Sequence, residues 1–272
     1  MRPAELLLRT TGECEIDPER LFDVFVEQRQ RFVAVIEGFG PDDWAAPTRC
    51  ADWSAQDVVR HLCDVNAIIV GTVAHSLDVA AGFDPRTTPR EWLSASRGES
   101  PRDTLGRFVA TTEEVVACGR ARLADGEMFD VQLPYGQMDW TVLGLHAYWD
   151  SWIHERDVLF ARGAEHPTDD DATVYATSYG LFIAAAVASM FGAQVDANLK
   201  LGGIGGGAFA LVAVGGSVAL TVERTSAAGP KASEVTDALA GRSQMNDALV
   251  DLPTETRTAL SSLADFFNTP VE

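Results

Sequence analysis

The sequence predicts a mixed fold, with an N-terminal bundle of four helices followed by a small C-terminal α/β domain. The chain has 272 residues, which is long for one helical bundle and fits a bundle plus a second domain. Apolar residues recur at helical spacing as far as residue 162. Beyond residue 191, glycine becomes frequent and the apolar period shifts toward two. We therefore expect two domains, at residues 1–165 and 166–272.

Four amphipathic stretches predict the helices of the bundle. Ser54 is the expected N-cap of the second helix, and Asp57 supplies the acidic half of a capping box. Residues 81–101 and 129–139 contain glycine, proline and other turn-forming residues, so we predict loops there. The predicted helices cover residues 18–38, 55–77, 101–123 and 140–162.

The C-terminal part combines one apolar helix with short strands. The helix is predicted over residues 172–191 and the strands over 198–201, 209–214 and 218–223, with further helices over 233–240 and 254–267. A glycine run at residues 202–207 resembles a dinucleotide-binding loop only superficially. A strand follows it, where such a loop would open a helix. We therefore interpret the run as a turn between strands.

Charge and apolar content exclude several classes of function. The 21 basic and 40 acidic residues give a net charge of −19, which repels nucleic-acid phosphates and anionic lipid heads. The longest apolar stretch, Leu181–Ala193, is too short to span a bilayer, and charged residues follow the N-terminal apolar run at once. These features predict a cytoplasmic protein with free cysteines. We also expect it to act on a small molecule and to be a monomer or a homodimer.

Two histidines and one aspartate have the spacing of a metal site. Asp150 and His154 lie four residues apart, so they share a face of the fourth helix, and His61 comes from the second helix. Two imidazoles and a carboxylate leave a coordination position open for water or substrate, as in catalytic zinc sites. The same ligands also suit Fe(II), Ni(II) and Mn(II). A structural alternative stays open, because an aspartate and a histidine at this spacing also form a simple ion pair.

The residues around these ligands carry a resemblance to a known family. The segment Trp44-x-x-Pro47-Thr-x-Cys50-x-Asp-Trp53-Ser-x-x-Asp-Val-Val-x-His61-Leu and the segment Trp152-Ile-His154-Glu-Arg-Asp157-Val-Leu resemble motifs of the mycothiol-dependent maleylpyruvate isomerases. These enzymes are members of the DinB/YfiT-like metalloenzymes. The C-terminal part, with Leu239-x-Gly-Arg242, is similar to the small sterol-carrier-like domain of that family.

The resemblance implies a DinB-like four-helix bundle that binds a divalent metal, usually zinc, through His61, Asp150 and His154. Asp150 stands where the characterised isomerases have glutamate, which is one methylene longer. The resemblance also implies mycothiol, or another low-molecular-weight thiol, as a co-substrate. A metal lowers the pKa of such a thiol and holds the thiolate that attacks an electrophilic carbon.

Further roles are hypotheses from residue chemistry. Arg242 can bind a substrate carboxylate, because a guanidinium suits bidentate binding, although a structural contact is the alternative. Trp53 and Trp152 are candidates for the pocket wall, and Tyr135 and Gln137 precede the fourth helix and are expected to face the site. His166, just before Pro167 in the predicted linker, is expected to be exposed.

Three functions fit these expectations. The first is a metal-dependent thiol transferase or cis-trans isomerase. The second is a thiol-independent enzyme of specialised metabolism on the same fold, catalysing a cyclisation, isomerisation or hydrolysis. The third is a non-catalytic protein that binds small molecules, because a fold does not by itself determine a function.

Overall fold

The helices occupy most of the chain in a computed structural model, which describes residues 6–9, 14–75, 84, 86–126, 129–133, 136–167 and 169–268. In chain order they are α1 (Pro18–Ile36), α2 (Pro41–Ala45), α3 (Ala55–His75), α4 (Thr88–Ala95), α5 (Pro101–Asp125), α6 (Trp140–Ala161), α7 (Asp170–Met190), α8 (Ala232–Leu239), α9 (Met245–Ala248) and α10 (Thr254–Asn268). The long helices α1, α3, α5 and α6 pack against one another in the N-terminal half: α1 and α3 each contact both α5 and α6. The four helices predicted for the bundle are therefore present within a few residues of their expected bounds.

The strands form two antiparallel sheets among the described residues. They are β1 (Leu6–Arg9), β2 (Cys14–Glu15), β3 (Asp130–Leu133), β4 (Gly136–Asp139), β5 (Val195–Leu201), β6 (Gly207–Val214) and β7 (Ser217–Glu223). The larger sheet has the order β2-β1-β7-β6-β5, and β3 pairs with β4 in a hairpin. The three strands predicted near the C-terminus are confirmed, and the glycine run lies between antiparallel β5 and β6 as a turn.

Strand β1 joins the two ends of the chain. It pairs with β7 in the register Leu6↔Val222 to Arg9↔Ala219, so N-terminal residues complete the C-terminal sheet. No strand is predicted there from the sequence, because a four-residue strand has too little pattern of its own. The larger sheet contains residues from both sides of the predicted boundary at residue 165.

Helix α7 lies between the bundle and the sheet. It contacts α6 and α1 on one side, β6 and β7 on another, and α8 and α10 on a third. Its length and apolar composition would suffice to cross a membrane, but 89% of its most apolar stretch is buried inside the protein. Within the described residues α7 is the one helix that is long and apolar enough to cross a membrane. Its burial identifies it as a core helix. This confirms the apolar helix predicted over residues 172–191.

Two predicted loops contain regular structure. Helix α4 lies within the segment 81–101, and β3 and β4 lie within 129–139. Helix α4 and the two strands are short, and the turn-forming residues around them leave no clear apolar periodicity in the sequence. The expected capping box of α3 is present: the Ser54 amide donates to Asp57 Oδ2 at 2.9 Å, and the Asp57 amide donates to Ser54 Oγ at 3.1 Å.

Candidate metal centre

The three predicted metal ligands converge between α3 and α6. Nε2 of His61 and Nε2 of His154 each lie 3.5 Å from Oδ1 of Asp150. His61 is in the second turn of α3, and Asp150 and His154 stand one helical turn apart on α6. All three side chains are largely buried. The helix spacing read from the sequence therefore brings these groups together.

The distances fit a divalent ion. Zinc bonds imidazole nitrogen and carboxylate oxygen at about 2.0–2.2 Å, and a tetrahedron of that size separates its ligand atoms by about 3.4 Å. The two measured separations from Asp150 Oδ1 are 3.5 Å. In addition, Asp150 Oδ2 and His61 Nδ1 are buried and have no hydrogen-bond partner in the part of the chain described. Buried polar atoms without partners are costly, and an ion would satisfy the carboxylate.

Charge also suits a cation at this point. Burial raises the pKa of Asp150, but the imidazoles of His61 and His154 outweigh this effect and hold it below its usual range. Asp150 is therefore ionised at neutral pH. Asp150 is one methylene shorter than glutamate, and yet its carboxylate reaches both imidazoles.

Asp157 orients His154. Its Oδ2 lies 3.2 Å from Nδ1 of His154, so a proton on Nδ1 donates to the carboxylate and leaves the Nε2 lone pair free for a metal. Burial raises the pKa of Asp157, but hydrogen bonds from His154 and Arg242 lower it below its usual range. Asp157 lies inside the second sequence motif, but no role for it is predicted from the sequence. Its position three residues after His154 was the available signal.

Arg242 reaches across from the segment after α8 to the same carboxylate. Its Nε and Nη2 donate to Asp157 at 3.0 and 2.7 Å, and its Nη1 donates to the Ala240 carbonyl at 2.7 Å. The predicted bidentate carboxylate contact exists, but with an internal partner. In this structure Arg242 therefore positions Asp157, and contact with a substrate stays a prediction.

A second group of potential ligands overlaps the first. Cys50 lies with His154 and Asp157 within the range of one metal ion. Burial raises the pKa of the Cys50 thiol to about 12, so the thiol is protonated at neutral pH. Asp157 is already bonded to Arg242, and also to Arg49 at 3.2 Å. Of the two groups, His61, Asp150 and His154 are therefore the better candidate for a metal site.

A cavity of about 440 Å³ opens beside the three ligands and lies between the bundle and the C-terminal half. Trp53 lines it, with its ring centroid 5.0 Å from that of His61 and 5.8 Å from that of His154. The expected position of Trp53 at the pocket is therefore observed. His146 also lines the cavity one turn before Asp150, and its Nδ1 lies 2.8 Å from the Tyr179 hydroxyl. No role for His146 is predicted from the sequence, although its position four residues before Asp150 places both on one face of α6.

The structure corrects two other expectations. Trp152 does not line the cavity: it is fully buried on the far side of α6, with its ring 5.3 Å from that of His166 and under the guanidinium of Arg156. His166 is buried, not exposed, and its Nε2 lies 3.1 Å from Glu155 Oε2. Tyr135 and the Gln137 side chain lie outside the described residues; the Gln137 backbone is part of β4.

A four-helix arrangement with a two-histidine, one-carboxylate centre facing a cavity defines a class of metal-binding helical proteins. The sequence model described as the mycothiol maleylpyruvate isomerase N-terminal domain matches residues 25–159, which contain all three ligands. Through this domain the chain belongs to the mycothiol maleylpyruvate isomerase family. Searches of curated proteins and of solved structures find no match to the chain.

Proposed function

We propose that this protein is a divalent-metal-dependent enzyme of thiol chemistry, a transferase or a cis-trans isomerase that uses mycothiol or a related thiol. The observation that carries the proposal is the convergence of His61, Asp150 and His154 beside an open cavity, with Asp150 Oδ1 3.5 Å from Nε2 of each histidine. Membership of a mycothiol-related family supports the thiol. We further propose a bundle of the DinB type, a sterol-carrier-like C-terminal domain, and a cytoplasmic location.

A metal held by these residues would lower the pKa of a thiol and keep it as thiolate at neutral pH. Zinc fits best, because two imidazoles and one carboxylate leave a fourth tetrahedral position open; nickel, iron and manganese accept the same ligands. Three further side chains would position the ligands and cover the site. Asp157 holds the tautomer of His154, Arg242 holds Asp157, and Trp53 covers both imidazoles.

The reaction balances without an oxidant. In an addition reaction, the thiol sulfur forms a bond to an electrophilic carbon of a double bond, and the thiol proton goes to the neighbouring carbon of that double bond. In substitution, that proton leaves with the displaced group. In isomerisation, the carbon–sulfur bond forms, the former double bond rotates, and elimination regenerates the thiol. Burial lowers the pKa of His146, so this imidazole is neutral and suited to carry the proton.

Metal content measured by mass spectrometry tests the proposal, on protein purified without chelator. We expect about one equivalent of zinc in the wild type and none in the Asp150→Asn variant, which keeps the side-chain shape but removes the charge. Asp52→Asn is the matched control, because Asp52 lines the same cavity and has φ 65, a conformation that asparagine accepts. It should keep its metal.

The proposal also requires that the metal-loaded protein catalyses a thiol-dependent reaction. A metal-loaded wild type should conjugate or isomerise electrophiles only when thiol is present, and Asp150→Asn should not. A metal-free wild type, or full activity without thiol, would overturn the proposal in favour of a thiol-independent enzyme or a binding protein.

A further inference from the structure

The cavity is far more apolar than a metal centre requires. The end near the metal ligands is polar, two arginines lie elsewhere in the lining, and aliphatic and aromatic side chains line most of the rest. Its volume of about 440 Å³ falls within the range of sites that enclose a whole small molecule. The shape of the wall therefore carries information about the substrate.

Polarity changes steadily along the two helices that hold the ligands. On α3 the lining passes from His61 through Val65 to Ile69. On α6, which runs the other way at this site, it passes from Asp150 to Leu143. Eight residues of helix span about 12 Å. The cavity is thus a channel with its reactive end at the metal ligands and an apolar end about two helical turns away.

The opposite wall comes from the C-terminal half and is apolar apart from Arg242. Ile183 and Val187 of α7 face the cavity, and Phe266 of α10 closes it. At the end of this wall Met190 and Phe191 are 59% and 68% exposed, although both line the cavity. Large apolar side chains exposed beside a cavity are typical of an entrance for an apolar ligand.

Two arginines also line the cavity, in a chain with a net charge of −19. The guanidinium of Arg86 lies 5.4 Å from the ring centroid of Phe266 and pairs with Asp84. Arg90 is exposed on α4 and makes no ion pair with any residue that the structure describes. A guanidinium without an ion-pair partner among the described residues, in a mostly apolar lining, suits the anionic end of a ligand.

We infer that the electrophile is a lipophilic anion, with its reactive carbon at the metal ligands, its apolar body along α3 and α7, and its carboxylate or sulfonate at Arg90. The inference rests on the proposed function, because it takes the ligand to be the electrophile of that reaction. The polar ends of the molecule match the polar ends of the cavity, and the apolar middle matches the apolar wall.

Two fluorescent probes that share a skeleton test the inference on the full chain. N-phenyl-1-naphthylamine is neutral, and 8-anilino-1-naphthalenesulfonate adds one anionic group. Both gain fluorescence in an apolar site. We expect saturable binding of one equivalent of each, displaced by decanoate. Phe191→Glu should weaken sulfonate binding at least ~10-fold, because it places a carboxylate at the apolar entrance. Val250→Glu is the matched control, since Val250 is 66% exposed away from the cavity.

The charged end has its own variant. Arg90→Gln should weaken the sulfonate probe about threefold, as expected for an exposed charge, and leave the neutral probe within twofold. Absence of saturable binding, or equal effects of Phe191→Glu and Val250→Glu, would overturn the lipophilic site. Equal loss of both probes in Arg90→Gln would overturn the anionic part.

The metal-site variant separates this inference from the proposed function. His61→Ala/His154→Ala should still bind both probes, because the apolar wall is intact. A wild type that holds zinc but binds neither probe contradicts the substrate class alone. A wild type that binds both probes but holds no metal contradicts the proposed function, and the cavity is then a binding site for lipophilic anions.

Discussion

At the scale of single residues, Asp157 connects the proposed metal ligand His154 to the C-terminal half of the chain. Its carboxylate accepts from His154, Arg242 and Arg49, and none of its surface is exposed. Mutation of a group that hydrogen-bonds the non-ligating nitrogen of a metal-binding histidine commonly changes the metal affinity 10–100-fold. The influence of Arg242 on the site passes through this one carboxylate.

Replacing Asp157 with asparagine should therefore weaken zinc binding about 10–100-fold, because the amide is neutral and polarises the imidazole less. Competition with a chromogenic chelator measures the affinity. Asp64→Asn is the control: Asp64 lies three residues after His61 but pairs with Arg107 at 2.6 Å. Unchanged affinity in Asp157→Asn would remove the orienting role from this residue.

His166 makes stability depend on pH. Burial lowers the pKa of His166, and Glu155 only partly offsets the effect. A group whose folded pKa lies below its unfolded value binds more protons when unfolded. Its contribution to stability is therefore present above pH 6.5 and is lost as the pH falls through and below that value.

Wild type should thus lose more stability between pH 7.5 and pH 5 than a His166→Gln variant, in which glutamine keeps a donor for Glu155 but does not titrate. Urea midpoints at both pH values, measured with chelator present in every sample, give the comparison. Parallel declines of the two proteins would show that His166 does not contribute.

The residue scale also shows where sequence reasoning succeeds and fails. The spacing of four between Asp150 and His154 predicted their meeting, because a helix fixes it. The same reasoning failed for Trp152, since α6 is buried on nearly all sides and offers no polar face to mark the core direction. His166 was misplaced because its partner Glu155 is brought near only by the tertiary fold.

At the scale of elements, the glycine run between β5 and β6 is a close contact with α7. The Gly205 amide donates to Asp170 Oδ1 at 2.7 Å, at the first turn of that helix. Gly205 has φ +72, and a Cβ there would lie 2.9 Å from the Val174 backbone nitrogen. The sequence predicted the turn from composition, but only the structure gives the reason for glycine at this position.

Gly205→Ala should lower the free energy of unfolding by about 3 kcal/mol, from roughly 1 kcal/mol of left-handed strain and the rest from overpacking. Gly215→Ala is the matched variant: Gly215 also has positive φ, but a Cβ there meets nothing within 4 Å. It should lose only about 1 kcal/mol. Equal losses, measured by urea denaturation, would mean that the contact with α7 adds nothing.

Elements with a strong local pattern were predictable and those completed by distant partners were not. The four bundle helices and α7 are each about twenty residues long, and their amphipathic or continuously apolar sequences are enough to predict them. Strand β1 has only four residues, and its pairing partner β7 lies more than two hundred positions away. Its place in the sheet depends on tertiary contacts that local propensity does not contain.

At the scale of the whole molecule, the helical bundle and the C-terminal half are joined by buried ion pairs. Asp237 of α8 accepts from Arg156 of α6 at 2.5 Å and from Arg49 at 3.0 Å. Strand β1, from the N-terminal part of the chain, pairs with β7 and so completes the sheet of the C-terminal half. Because the proposed substrate cavity has walls from both halves, these contacts also fix its shape.

Asp237→Asn should lower the free energy of unfolding by about 3 kcal/mol, because it leaves Arg156 without its charged partner, and Arg49 with only Asp157, in a mostly buried place. Glu234→Gln is the matched control on the same helix: Glu234 pairs with Lys231 on the surface, and such a pair contributes less than about 1 kcal/mol. Calorimetry should show one cooperative transition in wild type. A second transition in Asp237→Asn would show that this carboxylate couples the halves, whereas a stability loss no larger than that of Glu234→Gln would mean that the apolar surface of α7 joins them without it.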